Sequence, residues 1–190
     1  VRRHPVEANA EPWIRWDTLR VLDVERLDTA SWARLSRLRL RALDDTPEAF
    51  GSSADAERHH GERAWRRLAG LGPWWLAVGD GLDVGLVAGG HRDGHAASRW
   101  VYSMWVDPAW RGRGVAAALL DAVVGWAVDE GAARLGLDVT DRVPRARRFY
   151  ERHGFKATGV VEPLPRDPSI LLAEMVLDLT APSPRPRTTS

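Results

Sequence analysis

Two arginines and two glycines within Arg111-Gly112-Arg113-Gly114-Val115-Ala116 form the stretch of this chain best suited to chemistry. Before them a largely apolar run, Val101 to Val106, ends at Asp107-Pro108; after them Leu119, Val123, Trp126 and Ala127 recur at helical spacing. That order reads as strand, tight loop, helix. A helix start leaves N–H groups without intrahelical partners, and nearby glycines let the chain bring those donors against an anion with no Cβ in the way. Phosphate is the natural guest. Arg111 and Arg113 add positive charge where the helix dipole is already positive, a conflict that a bound anion relieves. The plain alternative is a surface turn that the glycines permit and the arginines solvate. The segment is neither Gly-x-x-x-x-Gly-Lys-Ser/Thr nor the full dinucleotide fingerprint, which disfavours a nucleoside triphosphatase and a Rossmann dehydrogenase.

The same residues resemble the Arg/Gln-x-x-Gly-x-Gly/Ala pyrophosphate loop of the GCN5-related N-acetyltransferase (GNAT) family, and Met104-Trp105-Val106-Asp107-Pro108 precedes them as in that family. One helix-strand unit later, Ala146-Arg147-Arg148-Phe149-Tyr150-Glu151-Arg152-His153-Gly154-Phe155 is similar to the family's Ala-x-x-Phe-Tyr-x-x-x-Gly-Phe signature. The resemblance covers roughly Thr18 to Leu179 and implies an α/β fold of the GNAT type, a mixed central β-sheet flanked by helices. It implies acetyl-CoA as cosubstrate, with Met104, Trp105 and Val106 against the pantetheine arm. Arg111, Gly112, Arg113, Gly114, Val115 and Ala116 would hold the pyrophosphate, and Arg145 or Arg148 another coenzyme phosphate. Tyr150, at the family's Phe-Tyr position, is the candidate general acid for the departing thiolate. Two positions depart from the pattern: Val143 stands where the family often has Asn, and Ala116 where glycine is commoner.

The whole composition is less specific. The 190 residues carry 27 Lys plus Arg against 26 Asp plus Glu, so no global field favours nucleic acid or an anionic membrane. There is no cysteine, which removes disulfides, thiolate ligands and a cysteine nucleophile. The pair His59-His60 does not share one helix face and has no third ligand in view, so no metal is expected. No apolar run approaches the roughly 18 residues of a membrane span, and the polar start lacks the apolar centre of a signal peptide, which leaves the cytoplasm as the default. The expected division is a flexible arm over 1–12, one acetyltransferase domain over 13–180 and a flexible tail over 181–190. A homodimer is compatible with the family resemblance.

The remaining chain must position the loop. Thr18 to Val24 reads as a strand, and Asp28 or Thr29 caps a helix carrying Trp32, Leu35, Leu38 and Ala42, halted near Pro47. Ala49 to Ser53 is expected on the acceptor side, followed by a helical region over Asp55 to Ala69. Trp74 to Val78 and Val84 to Gly90 form a hairpin about Asp80-Gly81. In the strand Arg99 to Val106, simple alternation puts Tyr102, Met104 and Val106 on one face and Val101, Ser103 and Trp105 on the other. The helix Val115 to Glu130, stopped at Gly131, leads to a strand over Arg134 to Thr140, giving a parallel βαβ unit. Pro144 opens a helix that turns Ala146, Phe149, Tyr150 and His153 inward and ends at Gly154. Phe155 to Val161, a constrained loop over Pro163 to Pro168, and Leu171 to Leu179 complete a last hairpin. Of the ten tryptophans, periodicity assigns Trp105 and Trp126 to the core, while Trp13, Trp74, Trp75 and Trp110 are candidates for a pocket or subunit surface.

The reaction so implied is acetyl transfer to a primary amine, expected on a small molecule, with a protein or peptide acceptor and an inactive acyl-CoA-binding regulatory protein as the alternatives. An amine attacks only as the free base, so a proton must leave the incoming ammonium. Asp107 and Glu174 both carry carboxylates, but neither is placed by the sequence well enough to be assigned as the base.

Overall fold

The computed structural model describes residues 22–180. The arm, Trp13, the beginning of the first expected strand and the tail lie outside the described residues. One sheet contains seven strands in the order β1-β2-β3-β4-β5-β7-β6, where β1 is Leu22–Leu27, β2 Trp74–Gly79, β3 Leu82–Gly90, β4 Ser98–Val106, β5 Arg134–Thr140, β6 Lys156–Leu164 and β7 Asp167–Asp178. Only the central pair β4 and β5 is parallel; every other neighbour is antiparallel, so the sheet is mixed.

Helices cover both faces. Leu35, Leu38, Ala42 and Leu43 of α1 (Trp32–Asp45) pack on Trp74, Leu76, Leu86 and Trp105. Leu119, Val123 and Ala127 of α4 (Val115–Asp129) pack on the opposite face with Trp75, Val84, Leu135 and Leu137, joined by Tyr150 of α5 (Pro144–Arg152). Each leucine or valine among them contributes about 1.5–3 kcal/mol on removal from water, before entropy is counted. The expected Asp55 to Ala69 helix is two, α2 (Ala54–Arg58) and α3 (Glu62–Ala69), because the chain turns extended at Gly61, the N-cap of the second.

Two further expectations are corrected. The last hairpin turns through Pro165 and Arg166 alone, since Leu164 pairs directly with Asp167; Pro163 and Pro168 lie within strands at the sheet's edge hairpin, where a missing N–H is tolerated. In β4 the alternation breaks: Val101 and Val106 belong to the core beneath α4, and Trp105 to the core beneath α1. Five residues apart on a regular strand would oppose each other, so one residue is inserted. The register shows it, because Leu86 pairs with Trp105 but Ala88 with Tyr102, and Ser103 adopts φ 58°.

Candidate active site

The bulge and the strand parting define the site. β4 and β5 pair only through Ser98–Arg134, Arg99–Leu135 and Trp100–Gly136; beyond that point they separate, with Ser103 in the left-handed region where they part. Such a conformation at a non-glycine residue persists only if its surroundings hold it. Arg39, buried on α1, does so: its Nη1 donates to Ser103 Oγ at 2.8 Å while Nε and Nη2 donate to the two carboxylate oxygens of Glu57 at 3.1 and 2.9 Å. Burial alone would raise the Glu57 carboxyl, but the Arg39 hydrogen bonds and charge outweigh it and hold the group below its ordinary value.

A cavity of about 430 Å³ runs from this gap to the start of α4 and α5. Met104, Trp105, Val106, Arg111, Gly112, Gly114, Val115, Ala116, Arg145 and Tyr150 all line it. Gly112 and Gly114 take φ values of 75° and 82°, and nothing lies within 4 Å of where their side chains would begin. The first helical bond of α4 runs from Ala118 N–H to Gly114 O, so the N–H groups of Val115, Ala116 and Ala117 precede the ladder. An open backbone surface of donors at a positive helix end fits a pyrophosphate.

Among the arginines the structure distinguishes three situations. Arg111 turns inward: Nε donates to Val106 O at 3.0 Å and Nη2 to the Asp45 carboxylate, so its charge is already paired. Arg113 lies outside the cavity lining, its guanidinium 5.6 Å from the Trp110 ring centre. Arg145 lines the cavity, whereas Arg148 is exposed on α5 and does not.

Asp45 is a joint that sequence reading missed. Besides Arg111 it accepts from Trp105 Nε1 at 2.8 Å and Thr46 Oγ1 at 2.6 Å, tying α1, β4 and the loop together. Burial pushes its carboxyl up, yet the hydrogen bonds from Thr46, Trp105 and Arg111 win and hold it below the usual carboxylate range. A signal was present: Asp44-Asp45 closes a helix at its negative end, where a carboxylate is unfavourable unless something else pairs with it. Arg58 serves Asp44 in the same way. Arg39 and Glu57 carried no such signal.

Asp107, weighed as a base, accepts from Ala109 N–H at 2.8 Å at the start of the short 3₁₀ turn Pro108–Trp110 and pairs with Arg41. Glu174 sits on β7, 3.8 Å from Arg92. Tyr150 is buried between Phe149 and Phe155, ring centres 5.2 and 5.5 Å away, and its hydroxyl has no hydrogen bond among the described residues. Burial pushes the phenol well above its ordinary value, so it stays protonated across the physiological range. Among the described residues no group of three or more His, Asp or Glu is arranged to hold a metal ion.

A mixed α/β sheet with a parted central strand pair, and open backbone donors at the helix start beside it, frame this cavity. The profile of the acetyltransferase (GNAT) family matches residues 35–155, and the chain belongs to that family. It is 39% identical over 83 residues to an uncharacterized N-acetyltransferase of Mycobacterium tuberculosis, covering 42% of this chain and 50% of that protein. It is 37% identical over 91 residues to the N-acetylaspartate synthetase of Xenopus tropicalis, covering 47% of this chain and 32% of the relative. The chain thus spans half or less of the length of these curated relatives. Its fold is shared with a Salmonella typhimurium protein whose structure holds its cofactor acetyl-CoA, with a TM-score of 0.67, 20% identity, and 89% of this chain and 99% of that one covered.

Proposed function

We propose that this chain is an acetyl-CoA-dependent N-acetyltransferase whose acceptor is a primary amine on a small molecule. The observation that carries the reading is the single cavity that joins the α4 cradle, the parted β4 and Tyr150. Acetyl-CoA supplies an acetyl group already activated as a thioester. The N–H groups at the start of α4 bind its pyrophosphate, with Arg145 adding charge at the same rim. The backbone of Met104 to Val106, freed from β5, accepts the pantetheine arm, and the Arg39–Ser103 bond keeps that backbone aimed. Tyr150 supplies the proton that the leaving sulfur takes. The small-molecule acceptor is supported by the likeness to an N-acetylaspartate synthetase, whose name describes acetylation of an amino acid.

The test is an acceptor screen that follows free coenzyme A and acetylated product by mass, over amines, amino acids and peptides. An acetylated small amine is the expected result. Products only on peptides would move the assignment to a protein or peptide acetyltransferase, and acetyl-CoA binding with no product at all to a regulatory acyl-CoA-binding protein.

A further inference from the structure

We propose that Asp138 is the proton acceptor for the incoming amine, and that the acceptor approaches the thioester through the gap between β4 and β5 as a primary ammonium ion. The inference rests on the acetyltransferase reading above. A second, smaller cavity of about 80 Å³ opens where the two strands part, walled by Ser103, Asp138 and Thr140 and sharing Met104 and Tyr150 with the larger one. Asp138 is the one carboxylate among the described residues lining either cavity, and so the one anionic group that meets an ammonium there. His153 also borders the larger cavity, but its Nδ1 is engaged with Phe149 O at 2.8 Å and it does not reach the strand gap.

The surroundings of Asp138 suit proton transfer. Burial raises its carboxyl, the charge and hydrogen bonds of Arg92 at 3.1 and 3.3 Å pull it back, and Glu174 and Glu162 raise it again; the net shift is upward. Those groups come from every neighbouring element: Arg92 after β3, Tyr102 on β4, Glu174 opposite in register on β7 and Glu162 on β6. Arg92 is itself held, 4.2 Å from the Trp100 ring centre and 3.5 Å from Glu162. A carboxylate that is harder to keep ionised is a stronger base for the ammonium.

The step balances. One ammonium proton passes to the Asp138 carboxylate, the nitrogen lone pair forms the new C–N bond, and the C–S bond breaks with its electron pair on sulfur. Tyr150 protonates that sulfur, the extra proton of the new amide nitrogen returns to the phenolate, and Asp138 releases its proton to water. One amide, one thiol and one proton result.

The experiment uses the full chain with two probe nucleophiles: ethylamine, whose single nitrogen is almost wholly ammonium at neutral pH, and hydroxylamine, whose nitrogen is already largely unprotonated. Asp138→Asn is expected to lower kcat with ethylamine by about 10²–10⁴-fold, to keep the hydroxylamine rate and acetyl-CoA affinity, and to erase the acid-side inflection of kcat. Asp138→Glu restores part of the loss. Should Asp138→Asn fail to fold, Arg92→Gln is expected to move that inflection to higher pH. Independently of turnover, the carboxyl carbon resonance of Asp138 in coenzyme-free protein is expected to titrate at lower pH when ethylamine is added. Equal losses with both nucleophiles, no wild-type turnover of either, or a titration indifferent to ethylamine would overturn the assignment. A wild-type protein that does not bind acetyl-CoA would instead overturn the underlying function.

Discussion

Asp45 and Tyr150 illustrate two opposite uses of burial. At Tyr150 nothing compensates desolvation, so the phenol keeps its proton, as the proposed role of general acid requires. Tyr150→Phe is expected to cut kcat by about 10²-fold or more while leaving the acetyl-CoA dissociation constant nearly unchanged, as stopped-flow turnover and calorimetry would show. At Asp45 the hydrogen bonds win, and the depressed carboxyl contributes stability that is present above its unfolded value of about 3.9 and is lost as pH falls through its lower folded value. The stability gap between wild type and Asp45→Asn, followed by urea unfolding from pH 7 to pH 2, is therefore expected to close only below about pH 4. Arg39 and Glu57 form a buried pair, so Arg39→Met alone leaves an uncompensated carboxylate and is expected to cost about 3–5 kcal/mol, with weaker acetyl-CoA binding as Ser103 loses its support.

The elements legible in the sequence were those with a local cause. The stripe of α4, the Asp80-Gly81 hairpin, Pro144 at the first turn of α5 and Gly154 at its end each follow from near neighbours. What escaped was set by residues distant in the chain. The β4 bulge depends on Arg39 reaching Ser103, so alternation misassigned Val101, and the inward turn of Arg111 depends on Asp45, 66 positions away in the chain. The tryptophans show the same logic: the indoles of Trp110, Trp126 and Trp100 lie over Gly79, Gly89 and Gly136, where a Cβ would collide with each ring. Gly79→Ala should therefore displace Trp110 at the end of the turn that leads into the cradle, destabilising by about 1–3 kcal/mol and weakening acetyl-CoA binding together, measurable by thermal unfolding and calorimetry on one preparation.

At the scale of the whole molecule, two layers of helices hold a sheet whose central strands β4 and β5 part after three residue pairs, and the open seam is where the cavities meet. In the reaction proposed above, the coenzyme and the amine come to the seam along different walls, one by the start of α4 and the other past Asp138. With charges nearly balanced overall, affinity for a phosphate ligand must come from the local cradle rather than from the net field. The most direct measurement is a crystal structure of the complex with acetyl-CoA. The account predicts the pyrophosphate oxygens within hydrogen-bond distance of the N–H groups between Gly112 and Ala117 and the thioester beside Tyr150. Acetyl-CoA bound elsewhere, with that turn untouched, would contradict it.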